Sequence, residues 1–83
     1  MERDAIKAAI IRIFDEKFEI VGPGADDNLR DAYEFDSIDA VELLREIEIL
    51  LDTRLTQAEK KNAMDIRTIN QIVDYIEALA RDR

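Results

Sequence analysis

Among its 83 residues the chain has no histidine, no cysteine and no tryptophan, and only one proline, two glycines and one serine. Without cysteine there is no disulfide framework, no thiolate nucleophile and no zinc knuckle. Without histidine, the Ser–His and Cys–His nucleophile pairs and the commonest metal ligand are removed together. No metal site is expected. Positive charge is also scarce: 12 Lys and Arg stand against 20 Asp and Glu, a net charge of −8. Phosphate backbones and anionic membranes select clustered cations, so nucleic acid is disfavoured as a partner. No apolar run approaches the roughly 18–20 residues of a membrane-spanning helix. The opening "MERDAIKAAI" lacks the apolar h-region of a secretory signal. These absences lead to the expectation of a cytoplasmic monomer.

What is present argues for a folded domain. Apolar residues make up 47% of the chain, too many for a disordered polymer despite the charge. The length suits one small domain, residues 1–83, and not two. Apolar spacing is helical throughout the first segment: Ile6, Ala9, Ile10, Ile13, Phe14 and Phe18 fall on one face. This helix is expected to stop near Ile20–Val21, at the "GPG" of Gly22, Pro23 and Gly24. A long connection then runs to about Phe35, pinned by Leu29, Tyr33 and Phe35.

A second helix opens at Asp36, a good N-cap, with Ser37 as its first helical residue. Ala40, Leu43, Leu44, Ile47, Leu50 and Leu51 form its core face. A separate stripe, Ile38, Val41, Glu42, Arg45 and Ile49, is more than a small core requires and suits a partner. "TQAE" (Thr56 to Glu59) has capping-box form and predicts a short helix from Gln57 to Met64. "TINQ" (Thr68 to Gln71) predicts a last helix presenting Ile69, Ile72, Val73, Ile76 and Leu79. The expected fold is all-α, a small four-helix bundle with three longer helices, one short one and a long first loop.

Charge divides unevenly along this plan. Residues 34–52 hold Glu34, Asp36, Asp39, Glu42, Glu46, Glu48 and Asp52 against Arg45 alone, a local net of −6. Residues 53–67 carry a local net of +2. A solvated helix face explains acids of this kind in general. Acids spread beyond the first turn do not simply serve the helix dipole, so steering of a basic partner is the sharper reading.

Ser37 admits three roles. A capping serine is the ordinary one, but Asp36 already suits the cap. A catalytic nucleophile needs an activating base, and neither a histidine nor a G-x-S-x-G elbow is present. The third role is an attachment point modified by another enzyme. A phosphodiester on this hydroxyl would meet free backbone N–H groups and the positive end of the helix dipole, against repulsion from Asp36 and Asp39.

"FDSIDAVELLREIE" resembles the attachment motif of acyl carrier proteins, a D-S-L tripeptide opening an acidic, apolar-striped helix. "LLDTRL" is similar to the end of that family's second helix, and "TINQIVDYI" to its closing helix. The resemblance implies that Ser37 receives 4′-phosphopantetheine from coenzyme A through a phosphopantetheinyl transferase. The arm would carry an acyl group as a thioester for partner enzymes of fatty-acid, polyketide or related acyl-transfer pathways. It also implies that Ile38, Val41, Glu42, Arg45, Glu48 and Ile49 meet basic patches on those enzymes, with Asp36 beside the arm and the core face lining an interior for an acyl chain. Glu34 stands where the family commonly has glycine, Arg45 where a docking position is often apolar, and Ile49 where an acid is usual. "TQAEKKNAMDIR" is a few residues longer and more basic than the usual pattern. These departures suggest a specialised carrier with its own partners.

The alternative is an acidic interaction module, never modified, that binds a basic protein through residues 34–52. A stand-alone enzyme is not expected, because the usual acid–base and metal-binding residues are missing. "ADDNLRD" lacks the glycine and terminal glutamate of an EF-hand loop.

Overall fold

In the computed structural model, which describes residues 2–82, the apolar spacing of the first segment becomes helix α1, Arg3–Phe18. Ile6, Ile10 and Phe14 are its fully buried stripe. The helix ends earlier than "GPG" predicts. Glu19 adopts a left-handed conformation at φ 56°, and the N–H of Ile20 closes back on the Phe14 carbonyl at 2.9 Å. Burial of Ile20 drives the reversal, since an extended helix would carry that side chain away from the core.

The long connection also departs from the expectation of a plain loop. It contains a helical turn, α2, Leu29–Tyr33, capped by Asn28, whose side chain accepts from the Asp31 N–H at 3.0 Å. Sequence periodicity has nothing to report over five residues, so the turn escapes that reading. Leu29 and Phe35 do pin the segment to the core, with Tyr33 packed against it. The backbone adds further anchors: Leu29 N–H donates to Arg67 at 2.8 Å and Asn70 N–H to Ala25 at 3.0 Å.

Helix α3, Ser37–Leu51, buries Leu43, Leu44 and Ile47, while Ala40, Leu50 and Leu51 of the expected core face are only half-buried. Helix α4, Gln57–Asn62, is followed by a 3-10 turn, Ala63–Asp65, where one continuous helix is expected. Helix α5, Ile69–Arg81, buries all five predicted residues. Both capping boxes form, Thr56 with Glu59 and Thr68 with Gln71. The all-α bundle is as expected, with α2 as an additional element among the described residues.

One apolar cluster joins α1, α3 and α5 to Leu29 and Leu55. Full burial of a side chain the size of Ile or Phe contributes about 1.5–3 kcal/mol, so this cluster is the main source of stability. Among the described residues no polar side chain is buried. Arg3 ties α1 to α5 at the surface, pairing with Asp74 at 2.7 Å and with Glu77. Its guanidinium pKa is raised by the hydrogen bonds it donates to Asp74 and then to Glu77. None of the described helices is long and apolar enough to cross a membrane.

Candidate functional site

The two acids around Ser37 have a local structural reason. Asp36 is the N-cap of α3, and its Oδ1 accepts from the N–H groups of Ile38 and Asp39, both at 3.0 Å. Asp39 returns the favour, its Oδ2 accepting from the Asp36 N–H at 3.2 Å. This reciprocal box satisfies the N–H groups of Asp36, Ile38 and Asp39, three of the donors that a helix start leaves without partners. Ser37 is therefore not the cap. It is exposed, and neither its hydroxyl nor its N–H bonds to any described residue. The expectation of several free N–H groups beside the hydroxyl needs correction: Asp36 takes those of Ile38 and Asp39 and leaves that of Ser37.

The approach to Ser37 is held from behind. Phe35 packs with Phe14 and Phe18 in a three-ring cluster, with centroids 5.1 and 5.2 Å from them. Such tilted and edge-on contacts stabilise beyond burial alone. Glu34 makes the turn between α2 and α3 in a left-handed conformation, φ 56° and ψ 33°. The turn commonly made by glycine in the resembling family is thus kept here, with a β-carbon in place. Further back, Asp27 Oδ2 accepts from the Tyr33 hydroxyl at 2.8 Å and from the Gly24 N–H at 3.0 Å. A β-carbon on Gly24 would meet that carboxylate at 2.7 Å, so any larger residue there would displace the Asp27 side chain. The hydrogen bond to Asp27 raises the Tyr33 pKa above its ordinary value.

A small cleft of about 30 Å³ opens beside Ser37, and Arg30 and Arg67 line it together with Phe35, Ala40 and Ile66. A second cavity of about 30 Å³, walled by Leu43, Leu44, Ile47 and Ile72, shares Phe35, Ala40, Ala63, Met64 and Ile66 with the first. At roughly 10–15 Å³ per water, each holds about two waters and not a chain of methylenes. The expected acyl-receiving interior is closed in this conformation. Side chains between α3 and the 3-10 turn would have to move to open it.

The predicted docking stripe is exposed. Ile38, Val41 and Ile49 retain 76%, 65% and 68% of their accessible surface, and Glu42 and Arg45 face solvent beside them. Glu48 stands apart from this group. It is half-buried, and its Oε2 accepts from the Leu55 N–H at 2.8 Å, fastening the α3–α4 loop. Arg45 lines an open groove of about 340 Å³ between α3 and α4, with Lys60, Lys61, Val41 and Met64. The acidic face of α3 is therefore bordered by cations. The positive balance of residues 53–67 signals them, but only the fold brings them opposite Arg45. Arg67 belongs to that same positive stretch, but nothing in the sequence placed it beside Ser37, and Arg30 gave no signal at all. No group of three or more metal-ligating residues is found among the described residues.

The family model described as "Phosphopantetheine attachment site" matches residues 4–76. No curated protein and no solved structure matches the chain.

Proposed function

Because the chain belongs to the phosphopantetheine attachment-site family, whose domain carries 4′-phosphopantetheine covalently, we propose that Ser37 is the attached residue and that the protein presents acyl groups to partner enzymes. The supporting observation is a serine hydroxyl that is exposed and unbonded at the start of α3, its capping role already filled by Asp36. The residues present fit the group. The hydroxyl is accessible to a second protein, the Ser37 N–H is available to an anionic oxygen, and two arginines line the adjoining cleft.

Among the described residues no side chain hydrogen-bonds the Ser37 hydroxyl, so on this reading the activating base for attachment comes from the transferase. Attachment would form a bond from Ser37 Oγ to the coenzyme A phosphorus nearest the pantetheine. The nucleotide bisphosphate half leaves, and the hydroxyl proton passes to a base of the transferase. The arm supplies the thiol that the cysteine-free chain lacks, holding an acyl group as a thioester. The chain's own residues do the rest: Asp36 and Asp39 fix the first turn of α3, and Phe35 holds its base against α1. Ile38, Val41, Glu42 and Ile49 offer partners an apolar and acidic face, while Arg45, Lys60 and Lys61 border it with positive charge. A partner suited to this surface carries basic residues toward α3 and acidic ones toward α4.

Incubation with coenzyme A and a promiscuous phosphopantetheinyl transferase should add one arm, read by intact mass. Ser37→Ala should add none while keeping the helical circular dichroism of the parent. An unmodified wild-type protein after treatment with several transferases, under conditions that load another carrier, would overturn the reading and favour the unmodified interaction module.

A further inference from the structure

The charge balance around Ser37 raises a problem that Arg30 and Arg67 are positioned to solve. A phosphodiester on the hydroxyl is a permanent anion, and its non-bridging oxygens lie two bonds from Oγ. Its location is therefore fixed by the protein, unlike that of the distal thiol. Asp36 and Asp39 are on either side, and their carboxylates already occupy the first-turn donors of α3. The single remaining N–H, that of Ser37, offsets little of the repulsion.

Resting on the carrier reading, we propose that Arg30 of α2 and Arg67, just before α5, form a cationic cradle for the phosphodiester at the root of the arm. Both line the cleft that contains Ser37. The Arg30 side chain is exposed and makes no hydrogen bond or ion pair among the described residues, so its guanidinium is available. Arg67 is held in place by its own backbone surroundings: Nη1 donates to the carbonyls of Met64 and Ile66, each at 2.8 Å. Its Nη2 and Nε remain for a ligand. A guanidinium presents paired donors that match phosphate oxygens, which a lysine at either position would not do. The backbone also couples the two sides of the cleft, because the N–H of Leu29 donates to the Arg67 carbonyl at 2.8 Å. Arm and cradle would thus meet across the junction between the first loop and α5.

The test compares unloaded and loaded forms of the whole chain, as wild type, Arg30→Gln and Arg30→Gln/Arg67→Gln. Each variant is referred to its own unloaded form, which removes the structural cost of losing the Arg67 bonds. Arg30→Gln alone carries no such cost. Loading should lower the Tm of the double variant relative to its effect on wild type by about 2–4 °C, the size expected of one exposed charge pair in a small domain. The difference should shrink at about 1 M salt, where screening acts within about 3 Å. The phosphodiester ³¹P resonance should also move between wild type and both variants. Equal loading-induced Tm changes with an unmoved ³¹P resonance would overturn the cradle alone. Failure of wild type to load would overturn the carrier reading and the cradle with it. An effect present only when the thioester cargo bears a carboxylate would assign the arginines to the cargo and overturn the phosphodiester assignment.

Discussion

Replacing Glu34 by glycine should stabilise the protein. Glu34 has φ 56° and ψ 33° at the C-terminus of α2, a conformation that brings the β-carbon of an L-residue close to its own carbonyl oxygen. The strain amounts to about 1–2 kcal/mol for a residue with a β-carbon. Glycine removes it, but it widens the unfolded ensemble at a cost of about 0.4–1 kcal/mol. The remainder is a gain centred on about 0.8 kcal/mol, because Glu34 is exposed and no packing is lost. For a domain of this length the gain raises Tm by about 2–8 °C. The N–H groups of Glu34 and Phe35, which donate to Arg30 at 3.1 Å and Leu29 at 3.2 Å, remain available in the variant. Thermal unfolding followed by circular dichroism, with urea denaturation as a second measure, provides the assay. Glu34→Gln serves as the control that removes the charge and keeps the β-carbon. A Glu34→Gly variant no more stable than Glu34→Gln would refute the strain argument.

Glu48→Ala should cost about 1–2 kcal/mol by leaving the Leu55 N–H without its charged acceptor, while Glu48→Gln retains most of the stability; equal urea midpoints for the two would show that the bond is unimportant. Charge reversal at Glu48 is thus a poor probe of docking, and Glu42, exposed on α3, is the better one: Glu42→Lys should slow delivery to a partner and leave Tm within about 0.5 kcal/mol of the parent, as checked by paired kinetic and melting measurements. For Tyr33, the hydrogen bond to Asp27 favours the protonated phenol in the folded state. Its folded pKa lies above the unfolded one, so its stabilisation is full below roughly pH 10 and is lost as pH rises through the folded value. Urea unfolding of wild type and Tyr33→Phe should therefore differ at neutral pH and converge in strong alkali, and a difference that grows with pH would contradict the sign.

Long periodic segments were readable from the sequence because burial imposes helical spacing on them. All five predicted core residues of α5 are buried, and Thr56–Glu59 and Thr68–Gln71 form the capping boxes their spacing announces. Ser37 at the head of α3, with Asp36 as cap, was equally legible, since side-chain capping is a local matter. Features decided by distant contacts were not. The end of α1 depends on Ile20 finding the core, and α2 depends on anchors to Arg67 and Asn70, far along the chain. The same limit applies at the site. The family resemblance places Glu48 among the residues that meet partners, but its own partner is the Leu55 backbone across a loop. Arg30 and Arg67 are 37 positions apart in sequence and meet Ser37 only in the folded chain.

The three-ring contact of Phe14, Phe18 and Phe35 has a consequence for timing as well as for stability. Because Phe35 lies two residues before Ser37, a tether attached at Ser37, as proposed above, would start from a pivot packed against α1, not from a slack strand. On that proposal its sweep would be set by the tether's own length, and a client enzyme could bury its reaction chamber at one constant depth whichever load arrives.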